Sequence, residues 1–448
     1  MLSRDGQGIG WKGVQMGTVV EDLTRFGVGS VKGNAGHDAR EVMALSLLDW
    51  ASVTIAGIGE PVARIMREMA VDDGGGAQAS VAGLTRKLPV RAAAMVNGTT
   101  SHALDYDDTH FAHIGHPSVA VVPAALAVAE WIDAPGADLL DAALVGVEGS
   151  IRMGRWLGRN HYQTGFHQTA TAGAFGATLA AGRLLALSAH QMAQALGLCA
   201  TRASGLKSQF GTMGKPYHAG LAAQTGVEVA RAAKAGFIST RDGIEGPQGF
   251  GPTHAAQADD TAFDSLGQHW DILSISHKFH ACCHGIHALL EALALIDCAA
   301  PEVAEVQVWT HPRWMSVCNI PHPKTGLEVK FSLAHCAAMA LSGVETSALD
   351  SFSDDIARDA FLSALASRVH VVADDNIAET ASRVEVTLLS GAAFTTEHNL
   401  NHAMTIEDRR EKLETKCEAL LGVRAASLID AVGSLPDVPK LCALLRSA

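Results

Sequence analysis

The sequence predicts a mainly α protein with an α+β module: a large all-helical domain joined to a smaller α+β lid domain. Three observations carry that prediction. Hydrophobic residues make up 48% of the 448 and charged residues only 18%, enough apolar material for a large core. Between Val119 and Gly236, apolar segments of helix length rich in Ala, Gly, Leu and Val follow one another, without the strand–helix alternation of a parallel sheet. After about Gly243 the pattern changes, and Val303, Val306 and Val308 mark a strand with one buried face. The expected division is a helical domain over 19–265, the α+β lid over 266–403, and C-terminal helices over 404–448 that return to the helical domain.

Residues 1 to about 18 are glycine-rich and aperiodic, and are expected to form a mobile leader. Val19–Phe26 and Asp38–Ala56 read as amphipathic helices, the second carrying Val42, Leu45, Leu47, Leu48 and Trp50. Pro61–Val71 is a third, stopped by Asp72-Asp73-Gly74-Gly75-Gly76. Ala77–Leu88 has room for a strand, and Val90–Leu104 reads as helix despite Gly98. A glycine inside a helix costs about 1 kcal/mol against alanine, so the many glycines of 119–236 point to close helix packing. Ile286–Ala299 and Leu333–Leu341 are expected helices. Glu302–Thr310, Val369–Val372, Ser382–Leu389 and Ala393–Glu397 are expected strands. Ile406–Leu421 and Ala425–Leu445 are helices again.

A net charge of −13 argues against nucleic acid as a partner. It also requires any site for an acidic substrate to work by local positive charge. The eight cysteines contain no CxxC pair, so neither a zinc ribbon nor a thioredoxin-like motif is indicated. The N-terminus lacks the apolar stretch of a secretory signal. No apolar run of about 18 residues escapes polar punctuation. A cytoplasmic protein with reduced thiols and no membrane partner is expected.

The chemistry-bearing residues concentrate in two stretches. Asn97 to Ser118 packs Asp105, Asp107 and Asp108 with His102, His110, His113 and His116 between apolar segments. His277 to His287 holds Lys278, His280, Cys282, Cys283, His284 and His287. The spacing of His280, Cys283 and His284 matches no zinc pattern, so no metal is assigned. Three helix starts carry a cation or imidazole: His116-Pro117-Ser118, Phe166-His167-Gln168, and Lys215-Pro216-Tyr217-His218 ahead of a helix from Ala219. A helix N-terminus offers free N–H groups and partial positive charge, which suits carboxylates. A carboxylate beside His or Lys is held ionised and orients its partner or accepts a proton. Arg155 and Arg159, flanking Gly158, are candidates to clamp a carboxylate.

The segments NGTTSHALDYDDTH…GHPS, GFHQTATAGAFGAT, GTMGKPYHAGLAAQTGVEVARAAKAGF, KFHACCHGIHALLEAL and EVKFSLAHCAAMALSG, in this order, resemble the MmgE/PrpD family. Its members include 2-methylcitrate dehydratase, cis-aconitate decarboxylase and iminodisuccinate epimerase. The resemblance implies an active site between a helical domain and a lid, homodimers, and no cofactor or metal. It places active-site positions at Asp105, Thr109, His116, His167, Lys215 and Lys278. Relative to the decarboxylase, His116 lies one residue further from Asp105. Cys283, followed by His284, stands for a His, and His335 stands for a Tyr. The expected reaction is proton abstraction or carbanion protonation next to a carboxylate of a small di- or tricarboxylate. Dehydration leads, with decarboxylation and epimerisation as alternatives and an inactive carboxylate-binding relative as the non-enzyme reading. The expected roles are His167 as base or acid, Asp105 as orienting group, His116 and Lys215 on a carboxylate, and Lys278 closing the site. Arg155, His218, Cys283, His284 and His335 complete the expected substrate-binding set with Thr109.

Overall fold

The computed structural model describes residues 18–31 and 34–448. The expected leader therefore lies outside the described residues, apart from Thr18. Thr18 caps α1 (Val19–Val28) through a capping box with Glu21. α2 (Asn34–Ala56) begins four residues earlier than expected, and α3 (Pro61–Asp73) ends at Gly74 in a left-handed conformation. The stretch 77–88 is a hairpin of β1 (Ala79–Val81) and β2 (Leu84–Leu88), turned at Gly83 with φ 73°. α4 (Val90–Ser101), α5 (Ser118–Trp131), α6 (Gly136–Thr164), α7 (Gln168–Leu184), α8 (Ala189–Ala200) and α9 (Gly214–Lys234) build the helical core.

The glycine-rich reading finds its cause in the helix crossings. A Cβ on Gly98 of α4 would stand 2.8 Å from Gly220 Cα of α9, so the two backbones meet where no side chain fits. Gly158 does something different. Its φ of 71° and ψ of −175° break α6 six residues before its end.

After a short turn, α10 (Phe250–Thr253), the chain enters the α+β domain. Its core is a four-stranded mixed sheet in the order β4-β3-β5-β6, with β3 (Val303–Thr310) parallel to β4 (Val369–Ala373). β5 (Ala381–Leu388) and β6 (Ala393–Asn399) are antiparallel to their neighbours. Val303, Val306 and Val308 are fully buried, as the alternation requires. They share a core with α11 (His284–Leu293) and the helices between β3 and β4: α12 (Pro312–Val317), α13 (Gly326–Val329), α14 (Leu333–Leu341), α15 (Asp354–Arg358) and α16 (Ala360–Ala366). α11 ends at Leu293, six residues short of expectation. Leu295 is already exposed, and the chain must turn there to feed β3.

α17 (Ile406–Leu421) packs on α2. The single C-terminal helix expected over 425–445 is two, α18 (Ala425–Val432) and α19 (Val438–Ser447). Gly433, with φ 47°, and Pro436 divide them. Cys417, Leu421, Leu428, Leu441 and Leu445 share a core with α2, α5 and α6. Among the described residues, Gly36–Gly59 is the one helix apolar and long enough to cross a membrane, and 83% of its most apolar window is buried inside the protein.

Candidate active site

The loop between α4 and α5 is pinned from behind. Thr109 and Ser276 exchange backbone hydrogen bonds of 2.8 Å each way, tying the loop to the extended segment before α11. His277 anchors that segment, with Nε2 2.9 Å from Ser46 Oγ and Nδ1 3.0 Å from an Arg409 nitrogen. Lys278, next in sequence, points the opposite way, and its Nζ donates to the Asp105 carbonyl at 2.5 Å.

The three aspartates divide the work. Asp105 adopts a left-handed backbone, φ 52°, rare for a non-glycine residue and typical of functional loops. Its side chain is 47% exposed and faces a cavity of about 250 Å³. Lys215 Nζ lies 2.7 Å from Asp105 Oδ1, Lys278 Nζ 3.4 Å, and His116 Nε2 3.5 Å. Burial alone would raise the Asp105 pKa. The ammonium groups of Lys215 and Lys278, then His116 and His102, outweigh it and hold the carboxyl well below its usual range. Asp107 lies underneath, fully buried, 2.9 Å from His102 Nδ1 and 2.8 Å from His116 Nδ1. Asp108 turns inward to the start of α5, accepting from the Ser118 backbone and hydroxyl. Burial pushes its carboxyl up to about 8.

Four helix N-termini bring their residues to the cavity. His116 lies two residues before α5, His167 caps α7, Lys215 sits in the first turn of α9, and Cys283 caps α11. α9 starts at Gly214, not at Ala219, so Lys215 and His218 belong to the helix. His218 stands behind the wall, its Nδ1 3.1 Å from His167 Nδ1, which leaves His167 Nε2 for a ligand. Burial, then the cationic neighbours, pushes His167 well below 6.5, and burial pushes His116 to about 4. Both are neutral near pH 7. His284 lines the cavity beside Thr109, with 3.0 Å between Nδ1 and Oγ1.

Besides His218, two expected residues lie outside the lining. Arg155 does not line the cavity; it pairs with Asp271 at 2.6 Å. In an unbroken helix Arg155 and Arg159 would share a face. The break at Gly158 separates them, and only Arg159 reaches the cavity. His335 is buried in α14, with Nε2 3.1 Å from the Ile356 carbonyl, and also lies outside the lining. Sequence reading missed Arg313, Trp314 and Glu379 from the α+β domain and Phe210 before α9. Arg313 and Trp314 had a signal: His311-Pro312 repeats the helix-start pattern of His116-Pro117. Glu379 had none. It lies 3.1 Å from Arg313 and 3.6 Å from Arg159, joining the two domains at the cavity.

The lining thus carries four cationic side chains, Lys215, Lys278, Arg159 and Arg313, against two carboxylates, Asp105 and Glu379. Local charge is inverted relative to the chain's −13. His102, Asp105, Asp107 and His116 each bring a ligand atom within 4.8 Å of the others, a set that resembles a metal site. The two ammonium groups on Asp105 would face any cation there, and Asp107 is already held between two imidazoles. The set fits an anion-binding floor better than a metal centre.

The sequence matches known proteins over both of its domains. Residues 21–261 match the MmgE/PrpD N-terminal domain and residues 280–435 the MmgE/PrpD C-terminal domain. A cis-aconitate decarboxylase of Aspergillus terreus is 32% identical over 238 residues, 50% of this chain and 49% of that protein. The chain thus spans about half the length of that relative. Cis-aconitate decarboxylase of Homo sapiens is 27% identical over 386 residues, 81% of this chain and 79% of its own length. That of Mus musculus is 32% identical over 174 residues, 38% of this chain and 36% of its own length. With both domain types matched in order, and a helical domain and an α+β domain meeting at the cavity they would share, this chain belongs to the MmgE/PrpD family.

Proposed function

We propose that the chain is a cofactor-independent lyase acting on a small di- or tricarboxylate, and that it decarboxylates an aconitate-like acid. The observation that carries this reading is the Asp105 carboxylate held between Lys215 and Lys278, with neutral His116 and His167 around the same cavity. The ammonium groups retain N–H donors for substrate carboxylates and stabilise negative charge that develops next to them. Binding a polyanion raises the pKa of nearby imidazoles, so His167 gains a proton as substrate arrives. A carboxylate set against Phe210, Phe331 and Trp314 is poorly solvated, which favours its loss as carbon dioxide. The C–C bond breaks, its electron pair stays on carbon, and His167 protonates that carbon. The names of the relatives support the same choice.

Dehydration is the second reading. Cys283 favours it, because the resemblance to the decarboxylases expects a His there. His167 would then take the α-proton and a lysine ammonium would protonate the departing hydroxyl. The reading also carries a homodimer, which light scattering on the purified chain tests.

The experiment is NMR in D2O with cis-aconitate, 2-methylcitrate, citrate and iminodisuccinate. Deuterium enters the product or the recovered substrate next to a carboxylate, and His167→Ala or Lys215→Ala abolishes it. Retained exchange in both variants overturns the assignment. Loss of activity on treatment with a chelator overturns the cofactor-free reading.

A further inference from the structure

The mouth of the cavity is built from both domains. Arg159 follows the break in α6, and Arg313 sits in the first turn of α12. Glu379 stands in the turn between β4 and β5, its Oε2 3.1 Å from Arg313 Nη1 and 3.6 Å from Arg159 Nη2. All three line the cavity that also holds Asp105, Lys215 and Lys278. The proposed reaction uses none of the three. We propose that Arg159 and Arg313 form a second carboxylate subsite, occupied by Glu379 until a carboxylate of the ligand takes its place. This subsite rests on the reading of the cavity as a polycarboxylate site, and narrows it to ligands with carboxylates at both ends, one for the lysines and one for the arginines.

Both arginines are held in place. Gly158, with φ 71°, turns Arg159 off the face it would share with Arg155. A side chain at 158 would be strained at that φ, and its Cβ would collide with the Gln257 side-chain oxygen. That oxygen accepts the Arg159 backbone N–H at 2.5 Å and closes the break. The Arg313 backbone N–H donates to His311 Nδ1 at 3.2 Å, and its guanidinium lies 5.3 Å from the centre of the Trp314 ring. Trp314 Nε1 in turn donates to the Glu379 carbonyl at 2.9 Å. The backbone beneath Glu379 is thus fixed, while its part-exposed carboxylate has room to turn aside.

Charge and strength both favour the exchange. Two guanidinium groups face one carboxylate at the mouth, so positive charge is left over there. Two ammonium groups face Asp105 in the same way deeper in the cavity. Part-exposed pairs are weak, so a ligand already held by the lysines displaces Glu379 at small cost. A guanidinium fork offers a carboxylate two parallel N–H donors. The arginines belong to different domains, so a ligand carboxylate between them ties the domains together as Glu379 does.

The test is ligand-observed NMR titration of the full chain with two unreactive acids: tricarballylate, with carboxylates at both ends, and butyrate, with one. Charge-preserving variants separate direct contact from long-range field. Arg313→Lys and Arg159→Lys keep the charge but lose the fork, and each should weaken tricarballylate by roughly 2–5-fold. Glu379→Asp keeps the charge but shortens its reach by one carbon, and like Glu379→Gln it should tighten tricarballylate by roughly 2–5-fold. Butyrate, held by the lysines alone, should bind equally in all four. In an Arg313→Lys background the gain from Glu379→Asp should shrink, because the two residues act on one contact. Unchanged tricarballylate affinity in both arginine variants, or equal shifts for the two acids, overturns the proposal. Lys215→Ala separates the two readings: if it alone abolishes tricarballylate binding and the mouth variants have no effect, the subsite falls and the polycarboxylate site stands. If the wild-type chain binds neither acid, both fall.

Discussion

The protein pairs lysine with aspartate in two places that meet neighbouring residues of the loop between α4 and α5, Asp105 and Tyr106, and treats them in opposite ways. At the cavity, Asp105 is half exposed and shared by two lysines that keep spare donors. Behind it, Lys416 and Asp49 are each 1% exposed and 2.5 Å apart. Lys416 also donates to the Tyr106 carbonyl at 2.7 Å and stands over the Tyr106 ring at 3.9 Å. The second grouping is shut away from ligands and holds the loop in place. The first is open, and its remaining hydrogen-bonding capacity is available to a substrate. Identical charge chemistry thus serves as buried support in one place and, under the proposed function, as catalytic machinery in the other, according to solvent access.

That contrast is broken most sharply by His167→Ala, which should lower kcat/KM by about 10²–10⁴-fold with melting temperature little changed. Asp105→Asn should cost about 10²–10³-fold by the same assay. The mirror experiment is Lys416→Met, which leaves Asp49 as an uncompensated buried charge. It should cost about 3–5 kcal/mol in denaturant unfolding, while activity per folded molecule stays close to wild type. A stability loss from Asp105→Asn as large as that from Lys416→Met would erase the distinction.

Acid should probe both regions together. Burial holds His110 and His161 at about 4 and His113 at about 3, with His116 also at about 4. Between pH 6.5 and those values the unfolded chain binds protons that the folded chain refuses, so stability falls as pH drops. Each imidazole contributes on the order of 1–3 kcal/mol. Asp108 runs the other way: raised to about 8, it stabilises at low pH and loses that contribution as pH rises from its ordinary value towards 8. Four imidazoles outweigh one carboxyl below pH 6.5, so thermal stability should peak at roughly pH 6.5 and decline towards pH 4. The smallest expected effect is at the cavity mouth. Glu379→Gln releases Arg159 and Arg313 and should lower KM by a few-fold, the range of about 0.2–1 kcal/mol for part-exposed ion pairs.

Much of this was legible in the residues because helix starts have local signatures. His116, His167 and Lys215 stood out by their place before or within first turns, and the valines of β3 by period. What stayed hidden depends on a single torsion or on distant chain. The sequence shows Gly158 but not that it flips Arg155 away from Arg159. The buried course of His335 towards Ile356 is set by packing of α14, and Glu379 meets Arg159 across 219 intervening positions. The C-terminal break needed Gly433 and Pro436 to be weighed against a persuasive apolar period.

The pinned loop has an implication for how this fold tolerates change. Asp105 looks into the cavity while its neighbour Tyr106 is built into the wall, its hydroxyl donating to the Phe279 and Ser347 carbonyls at 3.0 Å. One residue gained or lost ahead of Asp107 would exchange those neighbours, sending a carboxylate into oil and a phenol into the hollow. The small reversal between His110 and Gly115, closed by a 2.9 Å backbone bond, is where length can drift without that exchange. Lineages built on this scaffold are therefore free to reshape the rim of the hollow there, while the count of residues from His102 to Thr109 stays locked.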